Sequence, residues 1–326
     1  MYERFYGLSE LPFELTANPK YLFLAARQRE ALSVLQYGLL SAKSITTLIG
    51  EAGTGKTTLI RAALESDRCR HIRCIYLNNP ALDTGDFIRL LALKFDLGKE
   101  AGECKPLLLE RLELLLRERR AAGETTALVI DEAQSLSIGL LEEVRLLANM
   151  ETPSTKLLPL VLAGQPELGD RLEDPALRQL KQRVTLRCQL EPFGVEDTAA
   201  YVACRIVTAG GVASRLFTRE AIVVIHDHAS GIPRSINVIC DNALVSAMAI
   251  GRRQVDRAIV VEVCRDLRLK TTREHRPSVR SAAPAKASHD LSPDEMPDSE
   301  DDTVRTPAGV GTRGFARSPQ TRTITE

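Results

Sequence analysis

The sequence predicts an α/β domain with a parallel sheet flanked by helices, then a small α-helical domain and a disordered tail. Between residues 44 and 190, short apolar runs alternate with amphipathic helical patterns, which is typical of a parallel sheet covered on both faces. From residue 191 to about residue 269 only helical patterns remain. From residue 270 the chain is rich in Pro, Ser and charged residues, a composition that buries too little apolar surface to fold.

The first two segments are residues 1–43 and residues 44–190. The approach segment 1–43 is expected to end in a helix, because Ala31, Leu35 and Leu39 recur at helical spacing. The α/β domain 44–190 then contains the short apolar runs SITTLIG, IRCIYLN, TALVIDE, LLPLVLAG and RVTLRC. Each run is short enough to be a buried strand, and helical patterns lie between them.

The last two segments are the helical domain 191–269 and the tail 270–326. Gly231 and Gly251 lie where helices are expected to end, since glycine readily adopts the backbone conformation that closes a helix. Pro233 lies where the next helix is expected to begin. The tail is expected to be disordered.

Charge and composition exclude several classes of protein. Lys and Arg together number 43, as do Asp and Glu, which gives no reason to expect a global field for nucleic acid or a membrane and leaves a local basic patch as the alternative. Aromatic residues make up 4% of the chain and Trp is absent, which argues against a base-stacking surface. The 7 cysteines are scattered without a CxxC pair and indicate a reducing compartment rather than a zinc site. No targeting segment or long apolar span is visible, so we expect a cytoplasmic protein.

A glycine-rich loop follows the first predicted strand and precedes a predicted helix. Residues 50–57 read GEAGTGKT and fit the pattern G-x-x-x-x-G-K-[ST] of a P-loop. Its glycines let the backbone wrap a phosphate chain, toward which the amides of the helix N-terminus point. Lys56 would place a cation near the β- and γ-phosphates, and Thr57 would offer its hydroxyl to Mg²⁺. The predicted ATP-binding residues are Gly50, Glu51, Ala52, Gly53, Thr54, Gly55, Lys56, Thr57 and Thr58.

The third predicted strand ends in two adjacent carboxylates, Asp131 and Glu132. Ligands bind at the carboxyl ends of strands in such sheets. We expect Asp131 to join Thr57 around Mg²⁺, and Glu132 to orient and polarise the attacking water. By itself, an Asp-Glu pair after a strand often marks only an exposed turn. Downstream of a P-loop, the same pair predicts ATP hydrolysis.

Together these motifs resemble those of AAA+ ATPases. The resemblance extends to the general secretion pathway protein A family through FYGLSELPFELTANPKYLFL, YGLL, IDEAQ, LVLAGQPEL, LRQLKQRV and GIPRSIN, and it covers about residues 1–268. That family groups with transposition ATPases and with the ATPases of exosortase and polysaccharide-export loci. The fold that the resemblance implies is an AAA+ core followed by a helical lid.

The resemblance implies four further roles. Gln165 matches sensor 1, a polar group that helps to place the water. Arg183 matches the arginine finger, which reaches a neighbouring subunit's γ-phosphate, and Arg178 is the competing residue. Arg234 matches sensor 2 on the lid above the nucleotide. The segment Phe13–Tyr21 lies where such proteins cover the adenine.

Each of these side chains also has a purely structural explanation. Gln165 could cap a strand or turn, Arg183 could be a surface arginine at a helix end, and Arg234 could simply begin a helix. His226 and His228 are close enough in sequence to suggest a metal site, but on a helix they would point apart. We therefore expect the two histidines to lie on an ordinary lid surface.

The resemblance implies a homo-oligomeric ATPase, a ring or a filament, that assembles or remodels a protein complex linked to secretion or export. Secretion-type relatives continue into a membrane span and a periplasmic region that this sequence does not show, so the relatives of export or exosortase loci fit better. Attachment to the inner membrane through partners is the alternative to a purely cytoplasmic location. A DNA-associated ATPase of the transposition-regulator type is a rival, against which the neutral charge argues. A slow nucleotide-gated switch is another, but it would need neither Glu132 nor Arg183.

Overall fold

The computed structural model describes residues 2–16, 18–78 and 82–269, and the predicted tail 270–326 lies outside them. The sheet is parallel and five-stranded, in the order β2-β3-β4-β1-β5. Its strands are β1 (Ile45–Gly50), β2 (Ile72–Leu77), β3 (Thr125–Ile130), β4 (Leu160–Gly164) and β5 (Val184–Leu190). Each predicted apolar run forms one strand, and the predicted α/β fold is confirmed.

Helices cover the sheet and continue beyond it. In chain order they are α1 (Tyr2–Tyr6), α2 (Ala26–Leu40), α3 (Lys56–Glu65), α4 (Thr84–Phe95), α5 (Lys99–Glu103), α6 (Lys105–Ala121), α7 (Ile138–Leu147), α8 (Pro166–Leu172), α9 (Arg178–Arg183), α10 (Val195–Thr208), α11 (Ala213–Leu216), α12 (Arg219–Ala229), α13 (Pro233–Ala249) and α14 (Arg257–Asp266). Within the described ranges, none of these helices has the length and apolar character needed to cross a bilayer.

The two faces of the sheet pack against different helical layers. In β3, Leu128 and Ile130 join a buried cluster with residues of α4, α6 and α7. Ala127 and Val129 join a second cluster with residues of α2 and α3. Because successive side chains of a strand point to opposite faces, the uninterrupted apolar run of β3 matches a strand that is buried on both sides. Burial of one such large side chain stabilises the fold by about 1.5–3 kcal/mol.

The turn between α12 and α13 follows the predicted signals. After α12 ends at Ala229, Ser230 and Gly231 both adopt left-handed φ values, 52° and 70° respectively, and Pro233 is the first residue of α13. A Cβ on Gly231 would lie 2.1 Å from the carbonyl oxygen of Phe193, so only glycine fits this approach. The turn thereby fixes the position from which α13 starts.

The approach segment contributes to two different cores. Tyr2, Leu8 and Phe13 are buried among the helices α10 to α14, whereas Leu35 and Leu39 of α2 are buried against the sheet. The hydroxyl of Tyr2 also donates a 2.5 Å hydrogen bond to Asp241 of α13. The beginning of the chain therefore packs on the helical domain that ends the described part, a contact that sequence spacing does not reveal.

Candidate functional site

The P-loop lies between β1 and α3, at the carboxyl end of β1. Gly53 and Gly55 have φ values of 82° and 95°, a region that strongly favours glycine. A Cβ on Gly53 would lie 2.7 Å from the Cβ of Arg234, and the backbone N–H of Arg234 donates to the Gly53 carbonyl at 3.2 Å. The start of α13 is thus packed directly on the loop, where the first N–H groups of α3 lack intrahelical partners.

The Lys56 ammonium group is folded into the loop. Its Nζ donates to the carbonyl oxygens of Gly50 at 2.8 Å and Glu51 at 3.1 Å, and the residue is buried. Burial lowers the pKa of Lys56, while the nearby carboxylates of Glu132 and Asp131 oppose that shift. The cation is therefore held beside the loop in a partly desolvated environment, where its attraction for an anion is strong.

Asp131 is buried at the end of β3 and is held by three donors. Its Oδ2 accepts from the Thr57 hydroxyl at 2.6 Å and from the Tyr76 hydroxyl at 2.5 Å, and its Oδ1 accepts from the Glu132 N–H at 3.0 Å. Burial, followed by the bond to Asp131, raises the pKa of Tyr76, so this hydroxyl keeps its proton. The structure thus joins Thr57 and Asp131, the two side chains predicted to hold Mg²⁺.

Glu132 is held by two amide side chains. Its Oε2 accepts from Gln134 Nε2 at 2.6 Å and from Gln165 Nε2 at 3.3 Å, and Gln134 Oε1 accepts from the Gln165 N–H at 3.1 Å. The backbone of Glu132 is left-handed, with φ 56° and ψ 36°, which is strained for a residue other than glycine. The strain and the amide pair together orient the carboxylate, and Gln165 directly follows the end of β4.

A cavity of about 330 Å³ opens between the P-loop, the approach segment and the helical domain. Its lining includes residues 53–58, Glu132 and Arg234. Most of the segment that was predicted to cover the adenine also lines it, namely Glu14, Leu15, Thr16, Asn18 and Tyr21. Phe13 does not, because it packs edge-to-face on Phe217, with ring centroids 6.1 Å apart, in the helical core.

This combination of loop, paired carboxylates and helical cover agrees with a family match. Residues 39–172 match a family described as an AAA domain. The chain carries an AAA+ domain. It is also 42% identical over 255 residues to General secretion pathway protein A of Aeromonas hydrophila, which confirms the predicted resemblance. That similarity covers 78% of this chain and 46% of the relative, so the chain spans about half of the relative's length.

Solved structures share the AAA+ fold of this chain. Cdc6p from Pyrobaculum aerophilum is 19% identical, with a TM-score of 0.58, over 78% of this chain and 70% of that chain. A structure of Drosophila ORC bound to DNA gives 20% identity and a TM-score of 0.60, over 79% of this chain and 65% of that chain. At these identities the similarity establishes the fold alone.

The structure keeps the two candidate finger arginines away from the AAA+ cavity of their own chain. Arg183 ends α9, and the next residue, Val184, pairs with Ile45 at the amino end of β1. The P-loop follows the other end of β1, roughly 17 Å away at the usual rise of a strand. Neither Arg183 nor Arg178 lines the cavity. The Arg183 side chain is therefore not placed to reach a phosphate bound to its own P-loop.

Two residues of the AAA+ site were missed by sequence reasoning. Gln134 lies within IDEAQ, where a second amide two residues after Glu132 was a usable signal. Tyr76 is the penultimate residue of β2, far from the motif in sequence, and only the pairing of β2 with β3 brings it to Asp131. A β-branched or aliphatic residue would have predicted that strand equally well, so nothing local marks Tyr76 as functional.

The two histidines contact different elements. His226 Nδ1 lies 3.0 Å from the Thr198 hydroxyl on α10, whereas His228 Nδ1 lies 3.2 Å from the Leu269 carbonyl. Among the described residues, no cluster of three or more His, Cys, Asp or Glu side chains suits a metal ion. Both imidazoles are thus accounted for by contacts within the helical domain.

Proposed function

We propose that this protein binds ATP with Mg²⁺ in the cavity beside the P-loop and hydrolyses the bond between the β- and γ-phosphates. The observation that carries the proposal is the contact of Thr57 with Asp131 at 2.6 Å, next to a Glu132 carboxylate held by two amides. Thr57 and Asp131 offer the hard oxygen ligands that Mg²⁺ prefers. When bound, Mg²⁺ neutralises charge that develops on the phosphates.

The side chains around the cavity divide the work of hydrolysis. Lys56 moves its ammonium from the loop carbonyls to the β- and γ-phosphate oxygens, and Arg234 approaches the phosphates from the helical domain. Glu132 accepts a proton from water as the water oxygen attacks the γ-phosphorus and the bond to the bridging oxygen breaks, leaving ADP and phosphate. Gln134 and Gln165 contact Oε2 of Glu132, and we assign Oε1 to the water.

Replacement of Lys56 by Ala tests nucleotide binding. We expect the affinity for Mg²⁺–ATP to fall by about tenfold to a hundredfold, because a charge-assisted hydrogen bond contributes about 1.5–3 kcal/mol. Isothermal titration with ATP and Mg²⁺ measures the change.

Lys94→Ala is the matched control, since Lys94 is exposed on α4, away from the cavity. It should bind ATP like the wild type. If Lys56→Ala and the wild type bind ATP with equal affinity, the P-loop is not the phosphate-binding element.

We further propose that the ATPase forms a homo-oligomeric ring or filament and uses hydrolysis to assemble or remodel a protein complex linked to secretion or export. The support is the 42% identity to General secretion pathway protein A over 78% of this chain. The distance of Arg183 from its own P-loop is consistent with an oligomer, because a finger at this position could reach a phosphate only in a neighbouring subunit.

A hydrolysis-blocked variant tests the partner. Glu132→Gln should bind ATP and stall, and in the presence of ATP it should retain a protein partner that the double variant Glu132→Gln with Lys56→Ala does not retain. Affinity capture from the source cell with each variant, with and without ATP, makes the comparison. Salt-dependent binding of double-stranded DNA by the same ATP-loaded protein, with no nucleotide-dependent protein partner, would favour the DNA-associated ATPase instead.

A further inference from the structure

The cavity has a second end that the phosphate-binding residues do not explain. Residues 53–58 define the phosphate end. They would contact phosphates through backbone amides, a cation and hydroxyls, and these groups do not distinguish one nucleobase from another. The other end is lined by the approach segment and by Gln28 near the start of α2. A group that selects the base must therefore come from this second end.

Most polar groups from the helical domain at this end are already paired with one another. Arg205 donates to the carbonyl oxygens of Pro12 and, at 3.2 Å, Glu14, and to the Tyr201 hydroxyl at 2.8 Å. The Tyr201 hydroxyl in turn donates to Asn237 Oδ1 at 2.9 Å. This network fastens the approach segment to α10 and occupies the Arg205 guanidinium, the Tyr201 hydroxyl and the Asn237 amide oxygen.

Gln28 differs from its neighbours. It lines the cavity and is only 6% exposed, yet its Oε1 is buried without a hydrogen-bond partner among the described residues. The Tyr21 hydroxyl also lacks a partner in good geometry, but it lies beside Glu10, and burial followed by Glu10 raises the pKa of Tyr21 to about 12. Buried acceptors are nearly always paired, so the carbonyl oxygen of Gln28 requires a donor.

An adenine base supplies a donor of the right kind. Adenine presents the N6 amino donor beside the N7 acceptor, and a glutamine amide matches both, accepting with its oxygen and donating with its nitrogen. Guanine presents two acceptors, O6 and N7, at the same edge, so one amide cannot pair with both. The terminal torsion of glutamine is soft, and its rotation would turn the buried oxygen toward the cavity.

We infer that Gln28 reads the N6–N7 edge of adenine and makes this site select ATP over GTP. The inference rests on the proposed function, since it requires a nucleoside triphosphate in this cavity. Gln28 acts on binding of the base and not on the chemical step, because it lies on α2 and takes no part in the contacts of Asp131 or Glu132.

The test compares ATP, GTP, 7-deaza-ATP and purine riboside triphosphate, which lacks the N6 amino group. Isothermal titration of the full chain with Mg²⁺ should give about tenfold weaker binding of each analogue than of ATP.

Gln28→Met keeps the length of the side chain but removes both polar groups. It should weaken ATP binding by about tenfold and leave GTP binding almost unchanged. Gln28→Glu keeps the acceptor and loses the donor, so it should bind 7-deaza-ATP at least as tightly as ATP.

Gln36→Met is the matched control, because Gln36 lies on the same helix but does not line the cavity. It should keep the wild-type preference for ATP over GTP, and the melting temperatures of all three variants show whether they are folded.

If folded Gln28→Met keeps the wild-type ratio of ATP to GTP affinity, the inference is overturned while ATP binding stands. If the wild type binds no nucleotide at all, the proposed function fails with it. If Gln28→Met does not fold, tighter binding of ATP than of 7-deaza-ATP by Gln28→Glu overturns the inference.

Discussion

Replacement of Glu132 by Gln is expected to lower ATP turnover by about 100-fold to 10,000-fold, the usual contribution of a positioned general base. The amide keeps the size of the carboxylate and its place between Gln134 and Gln165, but it cannot accept the proton of the attacking water. ATP affinity should stay close to that of the wild type, since Glu132 acts in the transition state and not in the ground state. Phosphate release under saturating ATP, together with an independent binding titration, separates the two quantities.

A matched exchange elsewhere shows whether the effect is local. Glu118 is exposed on α6, far from the P-loop, and Glu118→Gln should retain wild-type turnover. Turnover near the wild-type value in Glu132→Gln would mean that another group activates the water. Loss of ATP binding in that variant would instead point to a structural role for the strained backbone at Glu132.

Arg183→Ala should keep ATP binding, but its turnover should fall by about 10³-fold to 10⁵-fold. This is the usual contribution of an arginine finger to turnover. The expectation follows from position, because Arg183 lies at the amino end of β5 and cannot reach its own P-loop. A finger that acts between subunits also makes specific activity rise with protein concentration as the oligomer forms. Turnover measured across a concentration series, with parallel sedimentation, tests both points.

Mixing two inactive variants gives the sharper result. Arg183→Ala has an intact P-loop and Glu132 but no finger, whereas Glu132→Gln has the finger but no catalytic carboxylate. In a random 1:1 mixture, about one quarter of the sites combine a functional Glu132 with an Arg183 from a neighbour, so activity should recover to roughly that fraction. If mixed oligomers form and activity stays absent, Arg183 does not act between subunits.

Arg178→Ala distinguishes the two candidate arginines. Arg178 is exposed at the start of α9, whereas Arg183 is half-buried at its end. Lys156, and more weakly the charge of Arg183, hold the pKa of the Glu151 carboxyl below its usual range, so a long-range electrostatic role at the surface is the competing explanation for Arg183. If Arg178→Ala loses turnover and Arg183→Ala does not, the finger is Arg178 and Arg183 is a surface residue.

The sequence was sufficient for the order and type of the main elements. Continuous apolar runs such as ALVI of β3 indicate strands buried on both faces, and the helical patterns between them require a parallel sheet. The P-loop was also readable, because strand, glycine loop, Lys56 and helix are contiguous and their chemistry depends on local backbone conformation. The end of α12 and the start of α13 followed from Gly231 and Pro233 for the same local reason.

Only the tertiary structure decided which distant side chains complete the site. Tyr76 meets Asp131 across two paired strands, and Phe13 turns from the cavity into the helical core. Gln28 belongs to a helix in which a polar residue is ordinary, and only the structure shows that this residue lines the cavity while its amide oxygen is buried and unpaired. Local periodicity specifies the face that a residue occupies on its own element. Contacts between residues tens of positions apart depend on how the elements pack. The packing of elements cannot be inferred from the spacing of residues in a single sequence.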